Sequence, residues 1–99
     1  MKYLIWLSNN YISVREIVSS LRSIDVEVEL LLIQDGVYLV DKGCSASNEI
    51  KELKLKIHAL KHHVEERGIT ERLAFDVNLI DYPEVINILM EKADKVISL

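Results

Sequence analysis

A chain of 99 residues with 49% hydrophobic side chains can bury one core, so a single domain spanning 1–99 is expected, and the composition is far from that of a disordered chain. A formal net charge of −4 argues against a broad phosphate-binding face, which needs concentrated Lys and Arg. One cysteine, Cys44, cannot close an internal disulfide, and the apolar start MKYLIWL is too short for a membrane span and lacks a signal-peptide cleavage pattern, so a cytoplasmic protein without direct membrane binding is expected.

In chain order, Tyr3 to Leu7 reads as a first strand, closed by the polar Ser8, Asn9 and Asn10. Ser13 and Glu16 have capping-box spacing, and Ile12 and Ile17 stand at hydrophobic-staple positions, so a helix is expected to start there. Val14, Ile17, Val18, Leu21 and Ile24 then fall on one helical face, with an end near Asp25.

The second strand, Val28 to Ile33, runs into the stretch LLLIQDGVYLV (Leu30–Val40). Leu30 to Ile33 is uninterrupted and too short for a helix, which suits a strand buried on both faces of a parallel sheet. Asp35-Gly36 breaks it at its C-terminal end, the edge where open parallel sheets meet ligands and partners. Val37–Val40 reads as a short helix, Asp41–Ser47 as a loop of small residues, and Asn48–Leu53 as a second helix.

Leu55 to Leu60 alternates apolar and polar residues and reads as a half-buried strand. His62–Arg67 should be a short helix stopped by Gly68. Val77–Ile80 reads as a fourth strand. The last helix starts at Asp81-Tyr82-Pro83-Glu84, where proline suits the first turn and Asp81 with Glu84 repeats the capping-box spacing. Val96–Leu99 is a candidate final strand. Strands alternating with helices on short connections imply an α/β fold with a parallel sheet and right-handed crossovers.

Chemistry-bearing residues are sparse. Cys44 lies among Gly43, Ser45, Ala46 and Ser47, where a thiolate activated by Lys42 or a helix start could carry sulfur; the alternative is an ordinary loop thiol. His58, His62 and His63 with Cys44 lack zinc-ligand spacing, so no metal is expected, and they read as solvated histidines on a strand edge and a helix. Lys51, Lys54, Lys56 and Lys61 make this segment locally basic, but Glu49 and Glu52 dilute it into a solvated face. Three glycines, none in a GxGxxG or P-loop pattern, give no support to a nucleotide site, and no cofactor is expected. Asp35 could act as a base, but an Asp-Gly turn explains it as well. In the last helix, Val85, Ile86, Leu89 and Met90, with Ile88 and Ala93, cover more than one stripe, so these residues are either core or a subunit interface.

Three segments together are similar to the DsrH/TusB family: LLLIQDGVYLV, KIHALKHHVEERGI (Lys56–Ile69) and VNLIDYPEVINIL (Val77–Leu89). The shared features are an aliphatic strand into Asp35-Gly36-Val37, a strand ending Ala59-Leu60, a helix ending Arg67-Gly68, and an Ile80-Asp81-Tyr82 strand-to-helix junction. The resemblance implies the DsrE/F/H-like fold, a three-layer α/β/α domain on a five-stranded parallel sheet of order 43215. It also implies a subunit of a sulfur-relay complex with DsrE/TusD-like and DsrF/TusC-like partners, in tRNA wobble-uridine thiolation or intracellular sulfur trafficking. Nucleic acid would then be met indirectly, through the pathway. Some family members carry a cysteine in the first helix, where this chain has Ser20. A hydroxyl cannot hold a persulfide, so the resemblance implies an accessory, non-catalytic subunit. The competing readings are a self-associating module without sulfur chemistry and a Cys44-dependent sulfur carrier.

Overall fold

The structure, a computed structural model, describes residues 1–9 and 14–99. The expected cap at Ser13 and the staple from Ile12 lie outside the described residues. Five parallel strands form one sheet of order β4-β3-β2-β1-β5: β1 (Lys2–Leu7), β2 (Glu27–Leu32), β3 (Lys56–Leu60), β4 (Asn78–Ile80) and β5 (Lys95–Ser98). This is the order 43215 implied by the family resemblance.

The strand–helix alternation is also as expected. Helices α1 (Val14–Arg22), α2 (Ala46–Glu52) and α3 (Lys61–Glu66) bury Val14, Val18, Ile50 and Val64 with Ile5, Leu7, Leu30, Leu32, Ile57 and Ala59 on one sheet face. On the other face, α4 (Tyr82–Asn87) and a π turn (Ile88–Lys92) place Val85 and Ile88 on Leu4, Leu31, Leu60 and Ile80. Fully burying one such aliphatic side chain contributes roughly 1.5–3 kcal/mol before conformational entropy is subtracted.

The strand Leu30–Leu32 is fully buried because it sits at the centre of this sandwich, with β1 on one side and β3 on the other. The segment after it is a 3-10 helix, Gln34–Val40, which starts earlier than the short helix expected at Val37. Gly36 lies so close to the end of β1 that a Cβ built on it would stand 2.2 Å from the Leu7 carbonyl oxygen. That oxygen also accepts the Ile33 N–H at 3.0 Å, so it cannot move freely.

Two expectations are corrected. Helix α1 stops at Arg22, and Ile24 is 59% exposed rather than part of the buried stripe; Asp25 takes a left-handed φ of 57°, which turns the chain towards β2 before Ile24 can reach the sheet. Strand β3 is buried on both faces instead of half-buried. Its polar residue His58 is 3% exposed because it meets a carboxylate across the sheet: Glu29 Oε1 lies 2.7 Å from His58 Nε2. Asn78 Nδ2 donates to His58 Nδ1 at 2.9 Å, which leaves Nε2 carrying the hydrogen that points at Glu29. Glu29 Oε2 also takes Lys2 Nζ at 2.9 Å. Among the described residues no buried side-chain polar atom lacks a partner.

Candidate functional site at the C-terminal edge of the sheet

Residues that the sequence scatters over 49 positions come together where β2, β3 and β4 end. Three local devices place them. Gln34 adopts a left-handed φ of 48° immediately after β2, which turns Asp35 out to solvent and Gly36 inward. Helix α3 follows β3 without a loop and ends in a Schellman motif: Gly68 has φ +66°, its N–H donates to Glu65 O, and the Ile69 N–H donates to Val64 O. Helix α4 starts at Asp81, whose Oδ1 accepts the Glu84 N–H at 3.3 Å, with Pro83 in the first turn.

On this frame Arg67 Nε donates to Asp35 Oδ1 at 3.1 Å and ties α3 to the 3-10 segment. His63, half-buried between them, accepts the Gln34 N–H on Nδ1 at 2.7 Å. Its hydrogen is therefore on Nε2, which faces the Tyr82 hydroxyl of α4 at 3.4 Å. Burial pushes the His63 pKa down, and the Arg67 charge and His62 add to that, against the opposing pull of Glu66. His62 is exposed and reaches Glu66 at 3.3 Å, while the rings of His62, His63 and Tyr82 lie 6.2–6.4 Å apart.

The edge thus gathers Asp35, Gly36, Arg67, Gly68, Asp81 and Tyr82, each of which carries a local structural job. The sequence does not reveal that His63 links the Gln34 and Tyr82 segments, because its contacts reach 29 residues back and 19 forward along the chain. The expectation of solvated histidines holds for His62 and fails for His58 and His63, which are hydrogen-bonded into the fold. Nδ1 of His63 accepts the Gln34 N–H, its Nε2 faces Tyr82, and one oxygen of the Asp35 carboxylate is paired with Arg67. Since Asp35 is more than half exposed, Asp35→Ala should cost less than about 1 kcal/mol in urea denaturation. A larger loss would mean that the pair anchors the turn alone.

The other candidates sit elsewhere. Cys44 is partly exposed, precedes α2 and packs its side chain against the core of the α1–α3 face. Ser20 lies exposed on α1, its carbonyl accepting the Ser23 hydroxyl at 2.6 Å. The apolar residues of the last helix divide: Val85 is 7% exposed and Leu89 packs against the core, whereas Ile86 and Met90 are 60% and 77% exposed. Val85 is therefore part of the core in this structure. Tyr82, Ile86 and Met90 recur every four residues and form one outward ridge that begins at the polar edge. Among the described residues no group of His, Cys, Asp and Glu converges to hold a metal ion, and no helix is long and apolar enough to cross a membrane.

The model of the family described as DsrH like protein matches residues 12–96. The chain belongs to this family. Protein TusB of Pectobacterium parmentieri is 34% identical over 71 residues, 72% of this chain and 75% of the relative. Protein TusB of Escherichia coli (strain K12) is 32% identical over 63 residues, 64% of this chain and 66% of the relative. Among solved structures, the protein of unknown function MTH1491 from Methanobacterium thermoautotrophicum superimposes with a TM-score of 0.79 at 14% identity, covering 99% of this chain and 98% of that one. The ychN protein from E. coli gives a TM-score of 0.74 at 19% identity over 99% and 97% of the two chains. These two likenesses confirm the fold. In this chain the edge described above brings Asp35, Arg67 and Tyr82, from three separate segments, together around His63.

Proposed function

We propose that this chain is an accessory subunit of a cytoplasmic sulfur-relay complex, acting in tRNA wobble-uridine thiolation or intracellular sulfur trafficking. Its part is to bind and shape cysteine-bearing partners of the DsrE/TusD and DsrF/TusC kind, through the ridge Tyr82–Ile86–Met90. What carries the reading is Ser20, in a member of the DsrH-like family, at the position where the resemblance implies a cysteine in some members. The polar edge supports it: Gln34, Asp35, His63, Arg67 and Tyr82 can hold a surface in shape but include no nucleophile for sulfur.

Affinity purification from the source cell should recover DsrE- and DsrF-like small proteins with this chain. Met90→Glu should leave folding within about 0.5 kcal/mol of wild type, because the side chain is mostly exposed, yet weaken the complex at least roughly tenfold. Recovery of the isolated chain alone, or an unchanged complex with Met90→Glu, would overturn the proposed surface. Incubation with a persulfide donor should leave the intact mass without added sulfur. An adduct that disappears in Cys44→Ser would replace the accessory role with a carrier role.

A further inference from the structure

His63 is the point where three elements meet. From α3 its Nδ1 takes the Gln34 amide hydrogen of the 3-10 segment at 2.7 Å, and its Nε2 faces the Tyr82 hydroxyl of α4 at 3.4 Å. The accepting contact is made to a residue held in an unfavourable conformation: Gln34 has φ 48°, a region that non-glycine residues occupy at a cost and keep when surrounding contacts fix them. A neutral imidazole has one lone pair for that contact, and a doubly protonated ring has none.

We propose that His63 is a protonation-dependent latch on the Gln34–Gly36 turn. With Nδ1 free of hydrogen, the ring holds the Gln34 amide and pins the turn to α3. When a proton from solvent binds Nδ1, the N–H of Gln34 faces another N–H, the hydrogen bond breaks, and the turn is released from the helix. The Asp35–Arg67 contact does not use the imidazole and persists as a second tether, so the turn loosens without the fold opening.

The groups facing the ring set where this occurs. On α3 itself, Arg67 and His62 oppose a second positive charge and Glu66 favours it, though Glu66 is partly engaged by His62 at 3.3 Å. From the 3-10 segment Asp35 would attract the proton, but its carboxylate is already paired with Arg67. From α4, Tyr82 contributes a hydroxyl that can accept from Nε2 in either state. Burial is the largest opposition, ahead of these charges, so release belongs to pH values below the ordinary imidazole range.

Site-resolved amide exchange on the full chain tests this, with protection corrected for the intrinsic pH dependence. Between about pH 7.5 and about pH 5, protection of the Gln34 amide should fall roughly tenfold or more, with the midpoint of the His63 ring resonances. His63→Gln, whose side-chain oxygen accepts a hydrogen bond but does not titrate, should abolish the dependence, and His62→Gln should retain it. The latch is overturned if wild-type Gln34 protection ignores the His63 titration, or if the dependence survives in His63→Gln. Should His63→Gln fail to fold, the comparison of the two midpoints in the wild-type chain decides the matter.

Discussion

Gly36→Ala should cost about 3 kcal/mol or more and lower the melting temperature by roughly 12 °C or more. The added methyl would stand 2.2 Å from the Leu7 carbonyl oxygen and 2.9 Å from its carbon, well inside van der Waals contact. Neither side can yield easily. Leu7 O is fixed by the Ile33 N–H, and the Gly36 N–H is itself bonded to Ile33 O at 2.9 Å. Relief would require moving the end of β1 away from β2 at the centre of the sheet, where Leu7 and Val37 are fully buried. The other two glycines provide the scale. At Gly68 a Cβ meets nothing within 4 Å, and only the left-handed φ of +66° opposes alanine, for about 1–2 kcal/mol. At Gly43 the Cβ would press on the tip of Arg72, a flexible and exposed side chain that can swing aside. Thermal melts of the three variants should therefore rank Gly36→Ala as the most damaging and Gly43→Ala as the least. A Gly36→Ala protein that melts no lower than Gly68→Ala would show that the close approach of β1 is not a constraint.

Much of this frame is legible in the sequence, because its signals are local. The run Leu30–Ile33 followed by Asp35-Gly36 gives a buried strand and its end, Gly68 gives a helix stop, and Asp81 with Pro83 gives a helix start; each needs only its immediate neighbours. What was lost is what the register of the sheet creates. Glu29 interrupts the buried part of β2 and His58 that of β3, and alternation alone sends His58 to solvent. The pairing of Leu31 with His58 and Glu29 with Lys56 instead sets the two polar side chains on one face of neighbouring strands, where they satisfy each other. A lone acid in one buried strand and a lone base in the next is a signal that could have found the pair. The last helix shows the same limit. Its all-round apolar character is real, but the division into buried Val85 and Ile88 and exposed Ile86 and Met90 depends on where α4 lies over Leu31 and Ile80.

Breaking that cross-strand pair is expected to be the second most damaging change. Glu29→Ala removes the partner of a His58 that is 3% exposed, and opening a buried hydrogen-bonded pair of this kind costs about 3 kcal/mol. His58→Leu should cost a similar amount, since it leaves a buried carboxylate with Lys2 alone. The double variant Glu29→Leu, His58→Leu should recover much of the loss, because two apolar side chains in a dry interior need no partners; equal or greater instability of the double variant would refute a pairwise account. The pair also has a pH signature. Burial alone would push the Glu29 carboxyl up, but the hydrogen bonds from His58 and Lys2 outweigh it and hold its pKa below the ordinary value. A carboxyl whose pKa is lower in the folded than in the unfolded chain binds fewer protons when folded. Its contribution is thus fully present at neutral pH and is lost as the pH falls through about 4.5 and on through the folded-state value. The Lys2 ammonium, raised by its hydrogen bond to Glu29 and by the carboxylate's charge, acts at the other end: its contribution is present at neutral pH and lost only as strongly alkaline solution deprotonates it. Glu29→Gln keeps an acceptor for His58 Nε2–H but has nothing to titrate. Urea denaturation at neutral and acidic pH should therefore show wild type and Glu29→Gln converging as the solution is acidified. A gap that stays constant with pH would mean that the carboxylate's charge, as distinct from its shape, contributes nothing to the fold.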